Sequence, residues 1–151
     1  MYNGVYHRKK LGGAIMAILF GTQEWVDALK KALEASQAYK EAAKKWEGDL
    51  YLIVDPDASY KHRHIVYLDL WHGECRGASL IKDESEKSPQ YRIFGPFTIM
   101  KQILDKKVDA VQSMMTGKLK VKGDMAQIMR MPNAAVELVN CMTSFETVFP
   151  D

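Results

Sequence analysis

Few side chains in this sequence are both reactive by type and grouped by spacing. The histidines are His7, His62, His64 and His72. His62 and His64 stand two apart, so on a strand they would share a face and could hold a metal. No third ligand follows at a suitable spacing, and Lys61 and Arg63 flank the pair, which reads as solvated residues at a strand entrance. Asp83, Glu84 and Glu86 read as a solvated loop by their neighbours. Asp69 interrupts an apolar stretch and would share a strand face with Tyr67 and Trp71. It is either an outward-facing acid or a polar anchor inside a pocket. An acid–base pair of Asp69 with Tyr67 is the catalytic arrangement the chain could offer. Gly117-Lys118 hints at a phosphate loop, but Leu119 stands where Ser or Thr would ligate magnesium, and the preceding glycines are missing. No GxSxG, HExxH, CxxC or dinucleotide-binding glycine pattern occurs. The expectation is a protein that is not an enzyme and needs no cofactor or metal.

Methionine is the residue type that clusters. Of nine, seven fall late in the chain: Met100, Met114, Met115, Met125, Met129, Met131 and Met142. An unbranched, polarisable thioether suits an apolar surface that must fit varied shapes. A core built for stability alone would favour Leu and Ile, whose rotamers are better defined. A methionine-rich core and a cavity lining both remain open at this point.

The elements that would position these residues follow from periodicity. Thr22 can cap a helix, and Trp25, Leu29, Leu33, Ser36, Tyr39, Ala43 and Trp46 make one stripe on a long amphipathic helix that Gly48 ends. Residues 50–54, 64–71, 74–81 and 91–94 read as four strands with short connections, which predicts an antiparallel meander. Pro96 fits position N1 of a helix carrying Phe97, Met100, Ile103 and Leu104. Asp109 opens a short helix that ends at Gly117. Residues 118–122 alternate as a strand, placing Lys118, Lys120 and Lys122 in a basic stripe. That stripe is either a dock for anionic headgroups or ordinary edge protection. Asp124 caps the next helix, and Pro132 and Asn133 start the last, with Ala135, Leu138, Val139, Met142 and Phe145 as its stripe. The order is α+β: one mixed sheet with helices packed over a face.

The segment Gly117-Lys118-Leu119-Lys120-Val121-Lys122-Gly123-Asp124-Met125, continued by Ala126-Gln127-Ile128-Met129-Arg130-Met131, resembles the sterol carrier protein family. Asp124 stands where that family often has Asn. The order of elements between Thr22 and Phe149 agrees with it. The resemblance implies a five-stranded, mixed but mainly antiparallel sheet covered on one face by helices, with an apolar tunnel between the layers. It implies a soluble, cytoplasmic carrier, without catalysis of its own, for a lipid-like small molecule: fatty acid, fatty acyl-CoA, isoprenoid or sterol-like. The alternative is a non-catalytic accessory or dimerisation module of a lipid-related enzyme system. The expected ligand-binding residues are Phe97, Met100, Leu104, Met114, Met115, Met125, Ile128, Met129 and Met142. The sheet floor is either Val66, Leu68 and Leu70 or the alternate set with Tyr67 and Trp71. Entry is expected to need movement of the last helix.

Bulk properties bound the remainder. At 151 residues, 47% hydrophobic and 26% charged, the chain suits one domain with a real core. Cys75 and Cys141 read as buried or half-buried thiols of a reducing compartment. Residues 1–15 are basic and aperiodic, and codons for Leu11-Gly12-Gly13 can contain a ribosome-binding sequence. The expected division is therefore a disordered leader over 1–15, with the native start at Met16 and the domain over 16–151. Without the leader's three bases the net charge falls from +2 to −1 (18 Lys and Arg against 19 Asp and Glu). That removes the weak case for nucleic acid. The expected partners are the lipid and, transiently, a membrane surface, the protein being a monomer or homodimer.

Overall fold

A serine divides the first helix. The computed structural model describes residues 8–11 and 15–150, with side chains from Ala17 onward. Thr22 accepts the Trp25 N–H and starts α1 (Gln23–Ala35). At Ser36 the chain turns extended, and the Ser36 hydroxyl accepts the Tyr39 N–H at 3.0 Å to start α2 (Gln37–Ala42). A short hydroxyl side chain competes with the helix's own backbone bonds, which is why the expected single helix becomes two. The apolar stripe survives the break: Trp25, Leu29, Leu33, Tyr39, Ala43 and Trp46 are all buried. Gly48 does not end the helix. It lies inside the next strand at φ +147°, where a Cβ would come within 2.8 Å of Gln90 and Tyr91.

Before α1, β1 (Arg8–Leu11) and β2 (Ile15–Leu19) pair antiparallel, and β2 pairs in parallel with a late strand, Glu146–Val148. Of the expected leader, residues 1–7 and 12–14 lie outside the described residues. After α2 come β3 (Glu47–Asp55), β4 (His64–Trp71), β5 (Glu74–Ile81) and β6 (Tyr91–Pro96). With β7 (Lys120–Lys122) they form a five-stranded sheet in the order β5-β4-β3-β6-β7. β3, β4 and β5 are the expected meander. β6 instead pairs in parallel with β3, and the other pairs are antiparallel.

The chain therefore crosses from one sheet edge back past β3. Residues 82–90 make this crossing over the outer face. The fully buried Tyr51 anchors it: its hydroxyl lies 3.0 Å from the Glu84 carbonyl and accepts the Lys87 N–H at 2.9 Å. The acidic loop is solvated as expected, with Asp83 and Glu86 exposed, and it is also held in place. Asp83 and Glu86 form a reciprocal capping box, and Glu84 pairs with both Arg63 and Arg92. The opposite edge-strand problem is met by Gln23, whose amide oxygen accepts the Leu80 N–H of β5 at 2.8 Å.

The helices pack on the other face. They are α3 (Phe97–Leu104), α4 (Ala110–Met115), α5 (Met125–Arg130) and α6 (Pro132–Met142), and the final strand is β8 (Glu146–Val148). Pro96 is the residue before α3 rather than its first, and Asp57 supplies the missing cap by accepting the Thr98 N–H at 2.8 Å. Asp109 and Asp124 cap α4 and α5, and Pro132 is at the start of α6, as the sequence predicts. β7 begins only at Lys120, because Leu119 turns inward and its N–H bonds the Ser113 carbonyl at 3.0 Å.

Candidate functional site

Alternation along the central strands decides the floor of the site. Leu50, Val54, Val66, Leu68 and Leu70 join the large core under the helices, with Leu52 packed against it. Tyr51, Ile53, Ile65 and Ile81 form a second, smaller cluster on the outer face, with Tyr67 and Phe94. The floor is therefore the set with Val66, Leu68 and Leu70. Tyr67 lies on the far side of the sheet, its hydroxyl donating to Asp49 at 2.8 Å. Asp69, on the same face, accepts from Arg76 at 3.0 Å, so it is the outward-facing acid. The two do not meet in an acid–base pair with a pocket.

Between floor and helices lies an apolar cavity of about 100 Å³. Leu52, Val54, Val66 and Ile93 give its floor; Phe97, Met100 and Leu104 of α3, Met114 of α4, and Leu138 and Met142 of α6 give its roof. A smaller cavity of about 40 Å³ adjoins it, sharing Ile93, Met114, Ala135 and Leu138. One end is closed by aromatic rings. Phe149 stands 5.3 Å from both Phe20 and Phe97, and Phe20 meets Trp25 edge-on at 4.8 Å. The Trp25 indole N–H donates to Thr147 of β8 at 2.9 Å, so the small β2/β8 sheet positions this cap. Among the described residues, Lys101 is the sole charged side chain in the wall. Its ammonium lies 2.6 Å from Asp105 and 5.6 Å from the Phe149 ring centroid.

Of the residues expected to bind ligand, Phe97, Met100, Leu104, Met114 and Met142 line the main cavity. Ile128 lines the smaller one. Met115, Met125 and Met129 do not reach either; they line an open groove outside, where Met115 is 62% and Met129 36% exposed. The sequence reading missed Phe20, Trp25 and Phe149. They come from the two ends of the chain, and nothing local in the sequence marks them as neighbours.

The motif at 117–131 builds this site without entering it. At Gly123, φ is +140° and a Cβ would stand 2.5 Å from the Tyr91 ring, so only glycine fits. Gln127 accepts the Glu47 N–H at 3.1 Å and donates to the Glu47 carbonyl at 3.0 Å, clipping α5 to β3. Asp124 accepts the Ala126 N–H at 3.0 Å. These bonds hold β7 and α5 so that Leu119 and Ile128 face inward.

Reactive groups near the site are quenched. Burial pushes the Cys75 thiol up to about 11 and also raises Cys141. Neither is a thiolate nucleophile near neutrality. The histidines are not the expected solvated pair: both are half-buried, His62 meets the Tyr60 ring at 5.2 Å, and His64 packs on Phe20 at 5.0 Å and bonds Tyr60 at 2.7 Å. Burial, and then His62, lower its pKa to about 4, so its ring is neutral.

The protein is thus α+β, a mixed five-stranded sheet with an apolar cavity under one layer of helices. The chain belongs to the SCP-2 sterol transfer family, whose sequence pattern matches residues 29–135. It is thus a protein of the lipid-binding, lipid-transfer class. It is similar to a crystal structure of sterol carrier protein 2, with 34% identity and a TM-score of 0.74, over 83% of this chain and 98% of that one. A protein from Thermus thermophilus, described as possibly a sterol carrier protein, is 32% identical, with a TM-score of 0.75, over 85% of this chain and 91% of its own. Apo sterol carrier protein 2 from Yarrowia lipolytica shares the fold at 20% identity and a TM-score of 0.52, over 79% and 89% of the two chains. No curated protein sequence matches the chain.

Proposed function

We propose that this protein carries one lipid-like molecule, preferably a fatty-acyl acid, in the cavity between its sheet and helices, and performs no chemistry on it. The observation that carries the reading is the wall itself: apolar throughout apart from Lys101. Each methylene moved out of water contributes about 0.8 kcal/mol, so a chain of about sixteen carbons has a gross ceiling near 12 kcal/mol. Ordering and loss of free motion reduce this considerably. A cavity of about 100 Å³ is smaller than the roughly 150 Å³ that holds a benzene ring, so the ligand must widen it. Met100, Met114 and Met142 suit that task, since each can change rotamer at low cost. An acid gains over a neutral lipid such as a sterol where its carboxylate replaces Asp105 as the partner of the Lys101 ammonium at the margin.

The absence of chemistry is supported by Asp69 and Tyr67 lying across the sheet from the cavity and by the raised thiols. A cytoplasmic setting is part of the same proposal, supported by the buried, unpaired Cys75 and Cys141. So is action as a monomer or homodimer that touches a membrane surface transiently and binds no nucleic acid. Displacement of a fluorescent fatty acid from delipidated protein tests the reading. Palmitate should displace the probe, and hexadecanol should do so less well. Protein that binds neither probe nor palmitate contradicts it.

A further inference from the structure

The groove that received the displaced methionines lies between α4 and β7. Its walls are Met114, Met115, Leu119, Val121, Met125 and Met129, and it opens to solvent with a volume of about 430 Å³. β7 is the edge of the five-stranded sheet, so among the described residues no further strand covers this side. Met114 and Leu119 line both this groove and the inner cavity, so their side chains are the partition between outside and inside. Met114 also lines the smaller cavity. α4 is six residues long, and its one extensive helix contact is α6, whereas α6 packs on α1, α2, α3, α4 and α5. A short element held on one side yields more readily than the helix that every other helix touches.

Charge selects what would sit on this face. Among the described residues, Lys120 is the sole charged side chain lining the groove, and its ammonium reaches back toward Gly117, 3.6 Å from where a Cβ would stand. Lys118 and Lys122 are exposed on the same edge, Lys122 toward the outer face with its ammonium 6.0 Å from the Phe94 ring centroid. No carboxylate of the described residues lines the groove. Exposed thioethers beside ammonium groups match the acyl and headgroup layers of an anionic bilayer.

We propose that the methionine groove is both the docking surface for an anionic lipid bilayer and the ligand's entrance, with Met114 as the gate. This rests on the carrier reading. Met115 and Met129 enter the acyl boundary, the lysines of the β7 edge bind headgroups, and rotation of the Met114 side chain connects the groove to the cavity. Entry then needs a rotamer change and a small shift of α4, in place of displacement of α6.

Two variants test it. Met115→Asp/Met129→Asp changes exposed positions that touch neither inner cavity. Lys118→Gln/Lys120→Gln/Lys122→Gln removes the edge charge. Wild-type protein should float with phosphatidylglycerol vesicles and much less with phosphatidylcholine vesicles. The triple variant should bind phosphatidylglycerol vesicles roughly 100-fold more weakly. The double aspartate variant should take up a fluorescent fatty acid from those vesicles about tenfold more slowly. Its equilibrium affinity for the same acid added without vesicles should equal that of wild type. Uptake from vesicles at the wild-type rate in that variant overturns the proposal. So does wild-type protein that binds both vesicle types equally, or a homodimer that dissociates in the double variant, which would assign the groove to a second copy. Wild-type protein that fails to bind the vesicle-free acid contradicts the carrier reading itself, a result the vesicle assays do not mimic.

Discussion

Leu138→Ala removes three carbons from a side chain that belongs to both inner cavities and is 9% exposed. Losing three buried carbons costs about 2.4 kcal/mol by transfer alone. The wall cannot collapse fully there, because the cavity already exists, so a further penalty for empty volume brings the total to about 3–4 kcal/mol. With a urea slope of about 1.5–2 kcal/mol/M, the unfolding midpoint should fall by roughly 2 M at unchanged slope. A fatty acid held at 100 times its Kd should then return about 2.7 kcal/mol, since it binds only the folded form. The variant should accept it at least as well as wild type, because its two cavities become one larger space. A loss below about 1 kcal/mol would refute the packing argument. Stabilisation of wild type by the fatty acid but not of the variant would refute the expectation that the enlarged space still holds the ligand.

Further outcomes follow from the same geometry. Ala135→Phe fills the wall shared by the two cavities and should abolish displacement of a fluorescent fatty acid, at a stability cost of about 1–3 kcal/mol for overpacking. Gly123→Ala drives a Cβ into the Tyr91 ring at a positive φ and should lower stability by about 1–3 kcal/mol in urea titration. Stability should also fall in acid. His64 has a folded pKa lowered to about 4, so the unfolded chain gains its proton first, and the contribution present above about pH 6.5 is lost as pH falls toward 4. Asp57 adds to this: hydrogen bonds from Thr98 hold its carboxyl below the usual range, so its contribution disappears only in stronger acid. Thermal unfolding of His64→Gln across this range should show a weaker dependence between about pH 6.5 and 4.

The sequence carried the secondary elements well because their signals are local. Thr22, Asp109, Asp124 and Pro132 each start a helix by chemistry visible within four residues. Ser36 carries the same capping chemistry, but the stripe around it hides the break. The parallel pairing of β6 with β3 depends on a crossing anchored by Tyr51, whose partners lie more than thirty positions away. The floor was undecidable because both faces of β4 carry large apolar groups: Val66, Leu68 and Leu70 on one, and Tyr67 and Trp71 around Asp69 on the other. For methionine, side-chain type marks an apolar surface and says nothing of its depth. Met100, Met114 and Met142 went inside, while Met115 and Met129 stayed out because α4 and α5 expose one side.

That division of the methionines offers the most direct test. Protein labelled with carbon-13 at its methionine methyl groups would be titrated with palmitate below its aggregation threshold and followed by NMR. The resonances of Met100, Met114 and Met142 should move together and saturate at one palmitate per chain. Movement confined to Met115 and Met129, or no saturable movement at all, would contradict a lipid held between the sheet and the helices.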